Sequence, residues 1–158
     1  MYIAKPVYTP QQIQRYMRDF QVLCQSRHLR VTRQRLEVFR ALIASPSHPS
    51  ADEVWQTVRK VLPNISLDTV YRTLGYLESA GIVMKTGTSG GARFDGHLAP
   101  HHHFICVECG EIYDVPCPDE QSIPAVPENA SQFGKVIKAH LQLRGICKRC
   151  LHKEQDVK

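Results

Sequence analysis

Long apolar runs are missing from this 158-residue sequence: none approaches the roughly 18 residues that a membrane-spanning helix requires. The N-terminal segment also lacks the apolar stretch of a secretory signal, so we expect a cytoplasmic protein. Internal repeats and low-complexity tracts are absent too. Because 42% of the residues are apolar, which is enough for a core, we do not expect a disordered chain.

Acidic residues are scarce in the first part of the chain. Residues 1–93 hold 13 Lys and Arg against 6 Asp and Glu, a net charge of +7, whereas residues 94–158 carry a net charge of −2. A basic segment attracts phosphate groups, which favours nucleic acid as a partner. A solvated basic surface without a ligand is the alternative, and charge alone does not decide between the two.

Four of the six cysteines form two CxxC pairs in the last third of the chain, Cys106 with Cys109 and Cys147 with Cys150. Two intervening residues let both thiolates of a pair reach one ion, and two pairs complete a tetrahedral zinc shell. In a reducing compartment this spacing favours zinc over disulfides or unligated thiols, which are the alternatives.

Helix-start signals recur through the basic part. Thr9 with Gln12 and Ser50 with Glu53 have the spacing of a capping box, Thr32 and Ser66 offer a capping hydroxyl alone, and apolar residues repeat at helical spacing after each. The predicted N-caps are Thr9, Thr32, Ser50 and Ser66, and Gly81 is expected to end the last helix. On the first helix, Cys24 falls on the apolar stripe, so we expect it in the core. On the third helix we expect Val54, Trp55, Val58, Val61 and Leu62 to face inward.

The fourth predicted helix has an unusual polar face, on which Thr69, Arg72 and Thr73 are expected to point outward, with Tyr71 at its edge. These groups can contact phosphates or base edges. Two β-like segments, 82–86 and 92–94, follow with a glycine-rich turn between them, which predicts a hairpin. Helices followed by a hairpin are typical of a winged helix-turn-helix whose last helix enters the DNA major groove. An ordinary helical core would show the same helical periodicity.

The rest of the chain predicts short strands near 103–107, 112–115 and 136–143, and a helix over about 148–155. Strand alternation places His101 and His103 on one face and His102 on the other. With Asp95 and Asp114 close in sequence, this mixed nitrogen and oxygen set suits iron(II), manganese or zinc. The alternative is polar surface sequence that binds adventitious metal.

Four segments carry a resemblance that covers nearly the whole chain: 29–35 (LRVTRQR), 48–55 (HPSADEVW), 68–74 (DTVYRTL) and 101–110 (HHHFICVECG). The chain resembles the ferric uptake regulator (Fur) superfamily of metal-dependent bacterial repressors. The resemblance implies an α+β homodimer: a winged helix-turn-helix over 1–86, a hinge over 87–95 and an α/β dimerisation domain over 96–158. The four-cysteine zinc would be structural.

The resemblance also implies a regulatory site for Fe²⁺ or Mn²⁺, made of His48, Asp95, His101, His103 and Asp114. His48 comes from the DNA-binding part and the others from the hinge and the dimerisation part. A metal that needs both parts favours one relative orientation of them. In a dimer that orientation would match the spacing of a palindromic operator in double-stranded DNA.

Within the superfamily, aspartate at positions 95 and 114 resembles the peroxide-sensing branch (PerR), since iron-sensing members commonly have glutamate there. In that branch bound iron(II) reacts with peroxide and a ligand histidine is oxidised, which releases the DNA; His48 and His101 are the matching positions. An iron- or zinc-responsive uptake regulator without peroxide sensing is the alternative.

By the same resemblance, DNA contacts would come from Arg30, Tyr71 and Arg72, with Thr69 near the backbone. A degenerate second metal site could use His102 and His140, for which a histidine in the core or the dimer interface is the alternative. The roles of Cys117 and His97 stay open.

We expect no catalytic residues and no enzyme activity. A thiol oxidoreductase is the non-regulator alternative, but a redox CxxC usually opens a helix, whereas Cys106 follows a predicted strand. A metal-dependent hydrolase would need an open coordination position, which five protein ligands leave little room for. A zinc-ribbon interaction module would not explain His48 or the basic first part.

Overall fold

The computed structural model describes residues 7–88, 90–117, 126–136 and 139–155. The described residues fall into two compact units that divide between Leu98 and Ala99. We call residues 7–98 the helical unit and residues 99–155 the sheet unit. The predicted boundaries of the hinge, 87–95, are not tested by this division and stay a prediction. Among the described helices, none combines the length and apolar character that crossing a membrane requires.

The helical unit begins with four helices: α1 (Pro10–Ser26), α2 (Arg33–Ala44), α3 (Ala51–Val58) and α4 (Leu67–Ser79). All four predicted N-caps are confirmed, because the side chains of Thr9, Thr32, Ser50 and Ser66 each accept a hydrogen bond from the backbone N–H three residues later. A capped start satisfies donors that would otherwise lack a partner. Local sequence therefore sets where each helix begins.

A continuous apolar core fills the helical unit. Phe20 of α1 stacks on Phe39 of α2 with ring centroids 4.0 Å apart, and both side chains are fully buried. Cys24 is buried in this core, as predicted. Val61 was expected to face inward but is 52% exposed, since α3 ends at Val58 and helical spacing no longer holds beyond it; Leu62, also predicted to face inward, does pack against the core.

A β-hairpin completes the helical unit, with β1 (Met84–Thr88) paired antiparallel to β2 (Gly91–Asp95). The hairpin is confirmed, but its first strand begins later than predicted. Gly81 adopts a φ of +67°, and the amides of Ile82 and Val83 donate to the Leu77 carbonyl, so these two residues close α4 rather than begin the strand. Four helices followed by a hairpin give the winged helix-turn-helix order that the sequence predicts.

The sheet unit contains β3 (His101–Cys106), β4 (Ile112–Pro116), β5 (Gln142–Gly145) and α5 (Lys148–Gln155), with a short 3-10 helix at Glu128–Phe133. The strand order is β4-β3-β5, in which β4 is antiparallel and β5 parallel to β3. The chain is thus an α+β protein. Residues 136–143 were expected to form the last strand, yet β5 starts at Gln142, and residues 137–138 of the prediction lie outside the described chain.

Register is the feature of this sheet that matters most for its chemistry. Gly145 of β5 lies opposite Cys106 of β3, so the second CxxC pair, which follows β5, reaches the end of β3 where the first pair begins. The amide of Val107 donates to the Gly145 carbonyl at 2.8 Å and closes this end of the sheet. Parallel pairing of β3 and β5 therefore brings together cysteines about 40 positions apart in the chain.

Candidate metal centres

The four cysteines of the CxxC pairs converge within the sheet unit. Their sulfurs all lie within 4.8 Å of one another, with 3.9 Å between Cys106 Sγ and Cys150 Sγ and 3.8 Å between Cys109 Sγ and Cys147 Sγ. Sulfurs at the corners of a tetrahedral zinc site, each about 2.3 Å from the ion, are about 3.8 Å apart. The cysteines are free thiols rather than disulfides. The donor set and its spacing therefore fit zinc.

Hydrogen bonds prepare two of these thiols, Cys106 and Cys147, to carry negative charge, whereas burial and contacts with neighbouring cysteines raise the pKa of Cys150 to about 12. Burial opposes ionisation of Cys106, but the backbone N–H groups of Cys109, Cys147 and Glu108 outweigh it and lower the pKa of the Cys106 thiol to about 6. Likewise, burial of Cys147 is outweighed by a backbone donor from Cys150 and by the Tyr113 hydroxyl, so its pKa is lowered. Thiolate is the form that binds zinc. The loop geometry thus favours the ligand form of Cys106 and Cys147 before a metal arrives.

A second set of ligand atoms lies at the other end of β3. His101 Nε2 and His103 Nε2 are 3.1 Å apart, and Asp114 Oδ1 of β4 lies 4.0 Å and 3.7 Å from them, respectively. His103 pairs with Asp114 in the β3–β4 register. All three side chains are at least 96% buried, which removes them from competing water. Ligand atoms of one ion at about 2.1 Å bonds are about 3 Å apart, so a modest closing of this triangle would hold a metal.

The orientation of His101 is fixed by the neighbouring backbone. Its Nδ1 lies 2.8 Å from the Ala99 carbonyl oxygen, which can only accept a hydrogen bond, so Nδ1 carries the proton. Nε2 is then left with its lone pair directed toward His103 and Asp114. A metal-ligating histidine usually shows this arrangement, with the second ring nitrogen donating to a carbonyl.

The helical unit holds a further pair of ligand types, His48 and Asp95. Their ligand atoms lie within 4.8 Å of each other, and the side chains are 3% and 1% exposed. The amide of Phe94 donates to the Pro49 carbonyl at 2.9 Å, which ties the end of β2 to the segment preceding α3. Asp95 also accepts from the His97 amide at 2.9 Å. These backbone contacts bring together two residues 47 positions apart in sequence.

Two other histidines carry nitrogens that could serve as ligands. His102 Nδ1 accepts a hydrogen bond from the Leu141 amide at 3.3 Å, and the His140 ring lies 6.0 Å from the His102 ring and 4.9 Å from the His103 ring. In a neutral imidazole an accepting Nδ1 leaves the proton on Nε2. Metal at His102 would therefore cost this hydrogen bond. His97 packs edge-on against Tyr8 with ring centroids 5.7 Å apart.

The predicted DNA-contacting residues lie on the first turns of α4 and before α2. Tyr71 is 48% exposed and its hydroxyl donates to Asp52 at 3.2 Å, while Arg72 is highly exposed beside Asp68. Arg30 is exposed, and Thr69 is partly buried. Thr73 was expected to point outward but is 9% exposed, because its side of α4 is covered within the unit.

Sequence reasoning missed several residues around these sites. The Arg35 guanidinium lies 4.0 Å from the Tyr76 ring centroid and donates to the Arg30 carbonyl, and both side chains line a groove of about 480 Å³ beside Thr69 and Arg72. In the sheet unit, the contacts of Tyr113 and Arg149 with the cysteines were also missed. The lone signal for Arg149 was its place inside the second CxxC pair.

Comparison with known proteins agrees with this architecture. The family model described as the ferric uptake regulator family matches residues 26–150. The peroxide-responsive repressor PerR of Staphylococcus aureus (strain Mu50 / ATCC 700699) is 36% identical over 126 residues, which cover 79% of this chain and 84% of that protein.

Two solved structures extend the comparison to the fold. The Helicobacter pylori ferric uptake regulator, in which three functional metal-binding sites are described, superposes with a TM-score of 0.63 at 26% identity over 93% of this chain and 97% of that one. The Campylobacter jejuni peroxide stress regulator superposes with a TM-score of 0.63 at 25% identity over 85% and 98% of the two chains. By sequence and by fold, the chain belongs to the ferric uptake regulator family.

Proposed function

We propose that the protein is a homodimeric, metal-loaded transcriptional repressor that binds a palindromic operator and releases it when hydrogen peroxide oxidises a ligand histidine. One observation carries the proposal: each unit holds its own buried set of nitrogen and oxygen ligands, His48 with Asp95 in one and His101, His103 and Asp114 in the other. The 36% identity to a peroxide-responsive repressor supports the same function.

The regulatory metal of the proposal is iron(II) or manganese(II), held by the five residues together. Imidazole and carboxylate suit these ions, whereas the separate four-thiolate set suits zinc. When iron(II) is bound, it supplies the one-electron chemistry that turns peroxide into an oxidant of a neighbouring side chain. His48 and His101 are the ligands at risk. An oxidised imidazole is a poorer ligand, so the unit that holds the oxidised histidine would lose a member of its set.

Loss of a ligand would act on DNA through the relation between the two units. A metal that takes ligands from both of them stabilises one relative orientation, and it can shift the equilibrium only by that difference in affinity. In a dimer, this orientation determines how far apart the two α4 helices are held and hence which half-site spacing they match. Oxidation of His48 or His101 would remove the constraint and lower the affinity for the operator.

On the DNA side, α4 is the proposed recognition helix. Tyr71 and Arg72 project from its exposed face, Thr69 lies at its first turn, and Arg30 precedes α2. The excess of positive charge over residues 1–93 supports contact with phosphates. Because the Tyr71 hydroxyl already donates to Asp52, its ring is presented in a defined direction.

The four cysteines would hold a structural zinc and take no part in sensing. All four lie in the sheet unit, so zinc would stabilise that unit alone. A thiol oxidoreductase is disfavoured because the two CxxC pairs face each other as one four-sulfur set. Cys147 and Cys150 open α5, but their sulfurs lie 3.8 Å and 3.9 Å from those of Cys109 and Cys106, and Cys106 ends β3. The proposed function is therefore not enzymatic.

An iron- or zinc-responsive uptake regulator is the second candidate, and the second metal site predicted at His102 and His140 would fit such a protein. The hydrogen bond from the Leu141 amide to His102 Nδ1 weighs against that site, since it occupies the lone pair that a metal would need. The site at His102 and His140 stays a prediction.

Peroxide treatment of the iron-loaded protein separates the two candidates. Protein purified without oxygen is exposed to hydrogen peroxide, and tandem mass spectrometry locates added oxygen. We expect one oxygen on His48 or His101, together with loss of binding to an operator duplex. His102 is an internal control that should gain none, although it neighbours His101. Unmodified histidines with DNA binding retained would show an iron or zinc sensor instead.

Salt dependence tests the DNA interface independently of the metal chemistry. Affinity of the metal-loaded dimer for duplex DNA should fall steeply with salt. Arg72→Gln should weaken binding and lower the logarithmic salt slope by about 1 for each phosphate that the arginine no longer neutralises. Lys153→Gln, on α5 in the sheet unit, is the matched control and should change neither value. Salt-independent binding, or no binding with metal present, would contradict the proposal.

A further inference from the structure

Two side chains other than those of the cysteines donate hydrogen bonds to the cysteine sulfurs. The Arg149 guanidinium donates to Cys109 Sγ at 3.4 Å, and the Tyr113 hydroxyl donates to Cys147. Arg149 belongs to α5, between Cys147 and Cys150, and Tyr113 belongs to β4, where it lies opposite Phe104 of β3. The two donors therefore approach the cluster from different elements and reach different sulfurs.

The four sulfurs differ in how well the protein covers them. Cys106 and Cys147 are buried, with exposed fractions of 1% and 4%, and Cys106 receives backbone donors from three residues. Cys109 is exposed to solvent. A peroxide molecule would therefore meet Cys109 first, and Arg149 is the side chain that donates to that sulfur.

Arg149 is itself held in place. Its guanidinium lies 3.7 Å from the Glu111 carboxylate, so the side chain is directed toward Cys109 by an ion pair on the strand side of the cluster. With 59% of its side chain exposed, Arg149 contacts this sulfur at the surface of the unit rather than filling the core. The loss of this residue should therefore disturb packing little.

Oxidation of such a sulfur follows a defined course. The thiolate sulfur attacks one peroxide oxygen, the O–O bond breaks and hydroxide leaves, so sulfur loses the two electrons that peroxide gains. A second cysteine thiolate then attacks the sulfenic sulfur and expels hydroxide, which forms a disulfide and removes two ligands from zinc. The first step requires the sulfur lone pair, and a hydrogen bond to that lone pair makes it less nucleophilic.

We propose that Arg149 protects the zinc thiolates from hydrogen peroxide by donating a hydrogen bond to the sulfur of the exposed Cys109. Arg149 also brings a fixed positive charge to a cluster in which four thiolates outweigh the two charges of zinc. Its effect should exceed that of Tyr113, since Cys147 is already shielded by burial. The proposal depends on the zinc centre but needs neither DNA binding nor histidine oxidation.

Peroxide-driven zinc release tests this inference. Full-length protein, loaded with zinc and free of iron, is treated with hydrogen peroxide beside a chromophoric chelator, after its zinc content has been measured. Arg149→Gln should release zinc about three- to tenfold faster, as expected when a charge-assisted hydrogen bond is removed and about half its strength reaches the transition state. Tyr113→Phe should show a smaller acceleration. Arg149→Lys should recover part of the protection.

Matched controls separate protection from mere stability. Arg144→Gln removes an exposed guanidinium from β5 of the same unit and should leave the rate unchanged. Zinc loss to the chelator without peroxide should be equal in all variants. A sulfenic-acid trap should label Cys109 most strongly in Arg149→Gln. If Arg149→Gln speeds zinc loss equally with and without peroxide, or leaves the peroxide rate unaltered, the proposal is overturned; protein that holds no zinc would overturn the zinc centre itself.

Discussion

The two units of this molecule are stabilised in different ways. In the helical unit, four helices and a hairpin enclose a continuous apolar core in which large side chains such as Phe20, Phe39 and Leu42 are fully buried. In the sheet unit, the buried apolar residues that the structure describes are Ile105 and Ile112, besides the ligand cysteines Cys106 and Cys147. A unit with so little apolar burial usually requires a metal, disulfides or a partner subunit to fold. We therefore expect stability to come from packing in one unit and from zinc in the other.

The two proposed ligand sets also differ in how they are distributed between the units. All four cysteines belong to one unit, so a metal bound there can only stabilise that unit. The proposed regulatory ligands are divided between the units, which is the condition for a metal to control their relative orientation. In the proposed function, the structural metal and the regulatory metal thus differ in how their ligands are distributed between the units.

The largest expected effect comes from breaking the zinc set. Cys106→Ser should abolish zinc binding and unfold the sheet unit while the helical unit stays folded, since structural zinc supplies on the order of 10 kcal/mol of folding free energy. Amide hydrogen exchange measured by mass spectrometry would show protection lost over residues 99–155 and kept over 7–98. Cys117→Ser, the same change at a cysteine outside the set, should keep both zinc and protection. If the amides of the sheet unit stay protected in Cys106→Ser, that unit does not depend on zinc and the proposed difference between the units is wrong.

A substitution in the apolar core of the helical unit is expected to lower stability less than loss of the zinc ligand does. Phe39→Ala removes one ring of the Phe20–Phe39 stack and should lower the free energy of unfolding of the helical unit by about 3–5 kcal/mol, with zinc stoichiometry unchanged. Urea unfolding monitored by Trp55 fluorescence would measure it. Phe133→Ala is the matched control, because Phe133 is 85% exposed and its loss should cost almost nothing. Loss of zinc in Phe39→Ala would mean that the units do not fold independently.

The smallest effect concerns an ion pair at the N-terminus of α3. Burial opposes ionisation of Glu53, but hydrogen bonds from the Ser50 backbone and hydroxyl, and the Arg93 guanidinium 2.6 Å away, outweigh it and lower the pKa of Glu53. Its contribution to stability is therefore complete above the unfolded-state pKa of about 4.3 and is lost as pH falls through the lower folded-state pKa.

Because Glu53 is half exposed, solvent screening keeps this contribution below about 1 kcal/mol. Glu53→Gln should destabilise the helical unit slightly at pH 6 and make the difference from wild type shrink between pH 5 and pH 3. Denaturant unfolding at each pH would measure it, with Glu78→Gln on the exposed side of α4 as control. An equal difference at every pH would show that the carboxylate charge contributes nothing.

The features of this fold that could be predicted from sequence are those that depend on residues close together in the chain. The N-caps Thr9, Thr32, Ser50 and Ser66 and the helix over 148–155 were correct, because a cap depends on atoms within three or four residues. The errors concern burial and ends of elements. Thr73 was predicted to be exposed but is buried, and Val61 was predicted to be buried but is exposed. Exposure depends on which other element covers a position, and local sequence does not show this.

Candidate ligands could be recognised by type, but their supporting contacts could not. Strand alternation correctly paired His101 with His103, whose Nε2 atoms are 3.1 Å apart. In contrast, nothing in the spacing indicated that the Tyr113 hydroxyl on β4 would donate to Cys147, or that the Arg149 guanidinium would donate to Cys109. Such contacts join elements that are distant in sequence.

By itself, the sequence determined the helix starts, the two CxxC pairs and the basic first part, because each depends on residue type and on short-range spacing. It also supplied candidate nitrogen and oxygen ligands, of which His48 was implied by the family resemblance. The tertiary structure alone decided which of these groups meet. The β3–β5 register brings the two CxxC pairs together, and the Phe94–Pro49 hydrogen bond brings Asp95 beside His48. The physical reason is that a metal site depends on distances of a few ångströms, which strand register and packing determine and linear spacing does not.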